Sequence, residues 1–123
     1  MKKIVCIMLL FIISLNLTGC FGFFDDESSN YEIVGEVNML VDYNSYLGYS
    51  ANVTGKLKNK SNKEFSYVEV TYAIYDSAGN QIETAYANTT NLQAGSTWYF
   101  SASMFTFTDI KPSKCKLVDV TIW

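Results

Sequence analysis

A chain of 123 residues and 13.9 kDa is material for one domain. It has no His, and all 9 of its basic residues are Lys, so it lacks both the usual general base and zinc ligand and the usual bidentate clamp for phosphate or carboxylate. A net charge of -3 and a pI near 4.8 argue against nucleic acid as a partner, since such a binder carries a basic face.

In chain order the first signal is an address. Met1-Lys2-Lys3 is a short positive start, and Ile4 to Leu15 is apolar except for Ser14. That run is shorter than the roughly 20 residues a membrane-spanning helix needs, and suits the helical apolar region of a secretory signal. Leu17-Thr18-Gly19-Cys20 follows, and it resembles the lipobox of bacterial lipoprotein precursors. The resemblance implies cleavage between Gly19 and Cys20 and a diacylglyceryl thioether on Cys20. The alternatives are an ordinary signal with an incidental Cys, or an uncleaved anchor; the lipobox reading is favoured because charge, apolar run and cleavage box occur in order at the right spacing.

Cleavage there leaves seven Lys against twelve acids, a net charge of -5. Cys6 departs with residues 1–19 and the lipid occupies Cys20, so Cys115 is expected to stand alone, with no intramolecular disulfide. Residues 20–30 read as the lipidated Cys and an acidic, Ser-rich tether, Phe21 to Phe24 followed by Asp25-Asp26-Glu27-Ser28-Ser29-Asn30.

Residues 31–123 read as all-β. The expected strands run from Ile33 to Val41, Tyr49 to Lys58, Phe65 to Tyr75, Gln81 to Ala87, through Trp98 to Met104, and Lys114 to Ile122. Val68, Val70, Tyr72 and Ile74 share one inward face, met by Trp98, Phe100 and Met104. Val118, Val120 and Ile122 are expected to point inward as well. Asp76-Ser77-Ala78-Gly79-Asn80 and Leu92-Gln93-Ala94-Gly95-Ser96 read as turns. About seven short strands at near-regular spacing predict an immunoglobulin-like β-sandwich, without the Cys…Trp…Cys hallmark of antibody domains.

Val53-Thr54-Gly55-Lys56-Leu57-Lys58-Asn59, Tyr67-Val68-Glu69-Val70, Tyr72-Ala73-Ile74-Tyr75-Asp76, Gly79-Asn80 and Leu92-Gln93-Ala94-Gly95-Ser96-Thr97-Trp98-Tyr99-Phe100 together resemble an FxLYD domain. Tyr72 and Ile74 stand where the eponymous box has Phe and Leu. The resemblance covers roughly residues 51–102. It implies a small secreted or lipid-anchored bacterial protein with an Ig-like fold and no enzymatic activity.

No residue is nominated for catalysis, a cofactor or a metal. Asp76 and Asn80 lack the further carboxylates a calcium loop needs. Glu36, Asp42, Glu64, Glu69 and Glu83 show no spacing that singles out a hydrolytic pair, and Cys115 has no His to activate it. The suggestive excess is tyrosine, above all Tyr43, Tyr46 and Tyr49 in a segment rich in Asn, Ser and Gly, which is the chemistry of a recognition surface. The plainer reading is that β-sheets favour Tyr on half-buried faces. The expectation is a non-enzymatic module, lipid-anchored to the extracytoplasmic face of the cell membrane, that meets an envelope protein or wall polymer. A solute- or glycan-binding lipoprotein stacking ligands on Tyr43, Tyr46 and Tyr49 is the alternative.

Overall fold

Alternating apolar residues with β-branched and aromatic side chains build strands throughout the part of the chain that the computed structural model describes, Cys20, Phe21 and residues 30–123. The strands are β1 (Cys20–Phe21), β2 (Tyr31–Ile33), β3 (Asn38–Asn44), β4 (Gly48–Asn59), β5 (Phe65–Tyr75), β6 (Gln81–Leu92), β7 (Thr97–Met104) and β8 (Lys114–Ile122). Among the described residues there is no helix, so the all-β expectation holds. The expected signal helix of residues 1–19, the Gly19 side of the cleavage site and most of the tether lie outside the described residues.

The strands join in one hydrogen-bonded path, β1-β8-β5-β6-β7-β4-β2, with β3 also on β4. Every pairing is antiparallel except β1 beside β8. The all-β fold of about seven strands is as expected, and its strands join in a single sheet that curls into a half-barrel. The two halves meet through a short seam where β6 and β7 pair, at Ala85↔Met104 and Tyr86↔Ser103. Curling brings side chains from both halves into one core: Val53, Leu57 and Phe100 from one, Val68, Val70, Tyr72 and Ile74 from the other. Tyr72 and Phe100 stack across it with ring centroids 5.8 Å apart. Burial of the Tyr72 hydroxyl pushes its pKa well above the ordinary tyrosine value.

Several elements differ from their expected form. The expected first strand is two, β2 and β3, because Gly35 takes a positive φ of 77° and breaks the extended run. β6 runs on to Leu92, with Asn88 to Leu92 paired against Phe65 to Glu69 of β5. In β8 the register slips between Thr71/Tyr72 of β5, pairing Asp119 with Thr71 and Leu117 with Tyr72, so Val118 is left over as a bulge. Cys115 and Leu117 are buried, Val120 and Ile122 half-buried, and Val118 points outward.

Cys20 and Phe21, expected in the tether, instead lie along β8, Cys20 opposite Cys115 and Phe21 opposite Lys116. Two paired residues cover part of what would be an open edge of β8. The expectation of an isolated Cys115 is also corrected: Cys115 is disulfide-bonded and buried. That expectation assumed that a lipid would occupy the sulfur of Cys20.

The register divides the molecule into two poles. One carries Cys20, the β3–β4 turn, the β5–β6 turn and the β7–β8 loop. The other carries Asn30, the loops 60–64 and 93–96, and Trp123.

Candidate functional site

The three nominated tyrosines come together on the β3–β4 hairpin at the first pole. Tyr43 and Tyr49 are cross-strand partners with ring centroids 4.7 Å apart and planes tilted by 53°. The turn between them is built by Asn44, whose Oδ1 accepts hydrogen bonds from the backbone N–H of Tyr46 (2.8 Å) and Leu47 (3.0 Å). Tyr46 at the tip is 93% exposed and Tyr43 63%, while Tyr49 is half-buried.

A loop that the sequence reading did not nominate braces this hairpin. Thr108 and Tyr49 exchange both backbone hydrogen bonds, at 2.8 and 3.0 Å. Gly48 makes the approach possible: with φ at 103°, a Cβ there would stand 2.6 Å from the Thr108 carbonyl oxygen. The same loop exposes Phe105, Phe107 and Ile110. Phe105 stacks on Tyr86 of β6 at 5.2 Å, and the Thr106 hydroxyl donates to Glu83, so the loop also spans the seam between the two halves. The sequence signal that could have found it is the Phe-x-Phe alternation beyond Met104, apolar positions with no inward face left to fill.

Asp76 closes the β5–β6 turn. Its Oδ1 accepts from the N–H groups of Ala78 and Asn80, and its Oδ2 from the Asn80 side chain. The backbone N–H of Asn80 is the largest cause holding its carboxyl below the usual aspartate range. The other acids do not converge: Glu64 accepts from Asn91 at the second pole, while Glu83 serves Thr84 and Thr106 at the first. Among the described residues no three of His, Cys, Asp and Glu are grouped to hold a metal.

At the second pole the buried Asn59 donates through Nδ2 to the carbonyls of Lys63 and Leu92, both at 2.9 Å, and accepts at Oδ1 from the backbone and hydroxyl of Ser61. Its backbone bonds to Ser96 and Gly95. This asparagine organises loops. The arrangement as a whole offers an aromatic pole and a polar pole, joined by a packed sheet. No family model matches the chain, and no curated protein and no solved structure matches it either.

Proposed function

We propose that this chain is a lipid-anchored, non-enzymatic extracytoplasmic module of the FxLYD kind, held to the cell membrane through Cys20. It presents a β-sheet body to an envelope protein or wall polymer. The observation that carries the reading is the order Lys2-Lys3, apolar Ile4–Leu15, then Leu17-Thr18-Gly19-Cys20, each part at the spacing that signal cleavage and lipid transfer require. Two acyl chains give durable membrane attachment where one gives marginal attachment. Further support comes from the FxLYD-like positions themselves. Gly55, Tyr72, Asn59 and Phe100 act in packing and loop closure, the roles expected of a scaffold.

The second reading, a glycan-binding lipoprotein, draws on the adjacent, tilted rings of Tyr43 and Tyr49 beside exposed Tyr46. Crosslinking of the anchored protein in intact cells, with Cys20→Ala as control, separates the two. A recurrent protein partner lost in the control supports the accessory-module reading. Crosslinks to wall glycan alone, abolished by Tyr43→Ala with Tyr46→Ala, would replace it with the second.

A further inference from the structure

We infer that β3 is a dimerisation edge: two copies of this chain pair their β3 strands antiparallel about a two-fold axis at Val41 and so join their curled sheets. The inference goes beyond the proposed module, and it depends neither on the anchor nor on the state of Cys20 and Cys115.

The backbone register shows which groups this edge offers. Tyr49 directs both its N–H and its C=O to Thr108, on the side of β4 away from β3. Its cross-strand partner Tyr43 therefore turns its own N–H and C=O away from β4, and the close approach of the two rings, 4.7 Å, suits such a pair. Further along β4 the alternation holds: Lys56 and Lys60 bond to Val34 and Asn30 on the β2–β3 side, and Asn59 bonds to Gly95 and Ser96 on the β7 side. Period 2 gives Val41 and Met39 the same outward direction as Tyr43. Among the described residues nothing pairs with that edge. The far edge of the sheet is guarded, since β8 carries exposed Lys114 and Lys116 and a bulge at Val118, and β1 lies beside its start. β3 has no Lys, Pro, Gly or bulge, the devices that keep an edge strand single.

The residue order of β3 makes a second copy the occupant that fits. With Val41 opposite Val41, Met39 faces Tyr43, Leu40 faces Asp42 and Asn38 faces Asn44, so all seven residues find a partner. Val41, Met39 and Tyr43 then exchange backbone hydrogen bonds in reciprocal pairs, and the Met39 thioether meets an aromatic ring. Asp42 is the one charge on the strand, and here the two copies of it stand diagonal rather than opposed. Centring on Asp42 would oppose the carboxylates, and centring on Leu40 would leave Tyr43 and Asn44 beyond the end of the second strand. Pairing also covers Leu40, 65% exposed, and Tyr43, 63% exposed. Because the two-fold uses the same strand of both copies, the assembly closes at two. One seven-residue edge is small beside the roughly 1,200 Å² of a stable interface, so the dimer is reversible and depends on concentration.

The register is tested by disulfide trapping of the full-length chain in intact bacterial cells under a mild oxidant, with the wild type, which has only its own cysteines, as background. Residues facing each other in a hydrogen-bonded antiparallel pair have Cα atoms about 5.5 Å apart, within the span of a disulfide, whereas Leu40 and its counterpart lie diagonal, beyond about 7 Å. Val41→Cys should give a dimer that reductant dissolves, and Leu40→Cys alone should not exceed background. Sedimentation of the purified full-length chain over a range of concentrations reads the charge pattern. Leu40→Lys places Lys opposite Asp42 and should tighten the dimer, and Leu40→Glu should weaken it. The spread in dissociation constant should be about ten-fold at low salt and shrink at high salt. Leu40 is exposed, so both variants should keep the wild-type unfolding midpoint. A wild type that stays monomeric at every concentration, or a dimer indifferent to the sign of the charge at position 40, would overturn the proposal. So would Leu40→Cys linking as readily as Val41→Cys. Val41→Cys joined to a different envelope protein would replace the second copy with a partner's strand.

Discussion

Asn59 serves the polar pole through one side chain, joining β4 to the loop at Ser61–Lys63 and to the end of β6 at Leu92. Replacing it by Ala removes the amide donor to the buried Leu92 carbonyl and the acceptor for the Ser61 backbone N–H, while the Lys63 carbonyl keeps the Ser61 hydroxyl, and the unfolding midpoint in urea should fall by the equivalent of about 1–3 kcal/mol. An unchanged midpoint would show that water replaces the amide without loss. Asp76 makes a prediction of a different kind. Its carboxyl titrates lower in the folded protein than in the unfolded chain, so its contribution is present above the unfolded value and disappears as pH falls through the folded one. Asp76→Ala should therefore lower the melting temperature at pH 7, and the gap to wild type should close on acidification below about pH 4. A gap that stays constant with pH would assign the loss to something other than the carboxylate. Both residues could be picked out in the sequence as members of a pattern, Gly-x-Leu-x-Asn and Tyr-Asp before Gly-Asn. The side-chain bonds that explain the pattern needed the folded loops.

At the scale of elements, β4 and β7 approach closely at Gly55. A Cβ there would meet the Phe100 ring at 2.7 Å and the Val37 side chain at 3.2 Å. Phe100 is fully buried and cannot swing clear, so Gly55→Ala should destabilise by about 1–3 kcal/mol in thermal or urea unfolding. Adding Phe100→Leu should recover part of that loss, and a strictly additive double variant would contradict the contact. The ends of β5 and β8 were legible because apolar alternation is written directly in the residue types, although in β8 the alternation of burial breaks at Val118. The end of β6 was not: Asn88-Thr89-Thr90-Asn91 carries no apolar phase and becomes strand through pairing with β5. The Val118 bulge was invisible for a related reason, since a one-residue slip changes which apolar residue faces inward without changing the composition. The aromatic pole was half legible. Tyr43, Tyr46 and Tyr49 stand in one short segment, whereas Phe105, Phe107 and Ile110 join them through the Tyr49–Thr108 bridge, a contact between residues 59 positions apart.

The whole molecule reads as a curled sheet with unlike ends. Long-range pairing decides what neither composition nor spacing could: that one sheet, not two, closes around the core, and that Cys20 returns to the pole bearing the exposed aromatics. Two residues carry no periodicity, so β1 had no signature to read. Anchoring through Cys20 predicts that Cys20→Ala moves the protein out of the membrane fraction; a mature-sized product retained there would contradict it. The most direct measurement is mass spectrometry of the N-terminal peptide from protein extracted from its native membrane. The account predicts a peptide beginning at Cys20 and carrying a diacylglyceryl group. A peptide retaining residues before Cys20, or one with Cys20 disulfide-linked to Cys115, would contradict it.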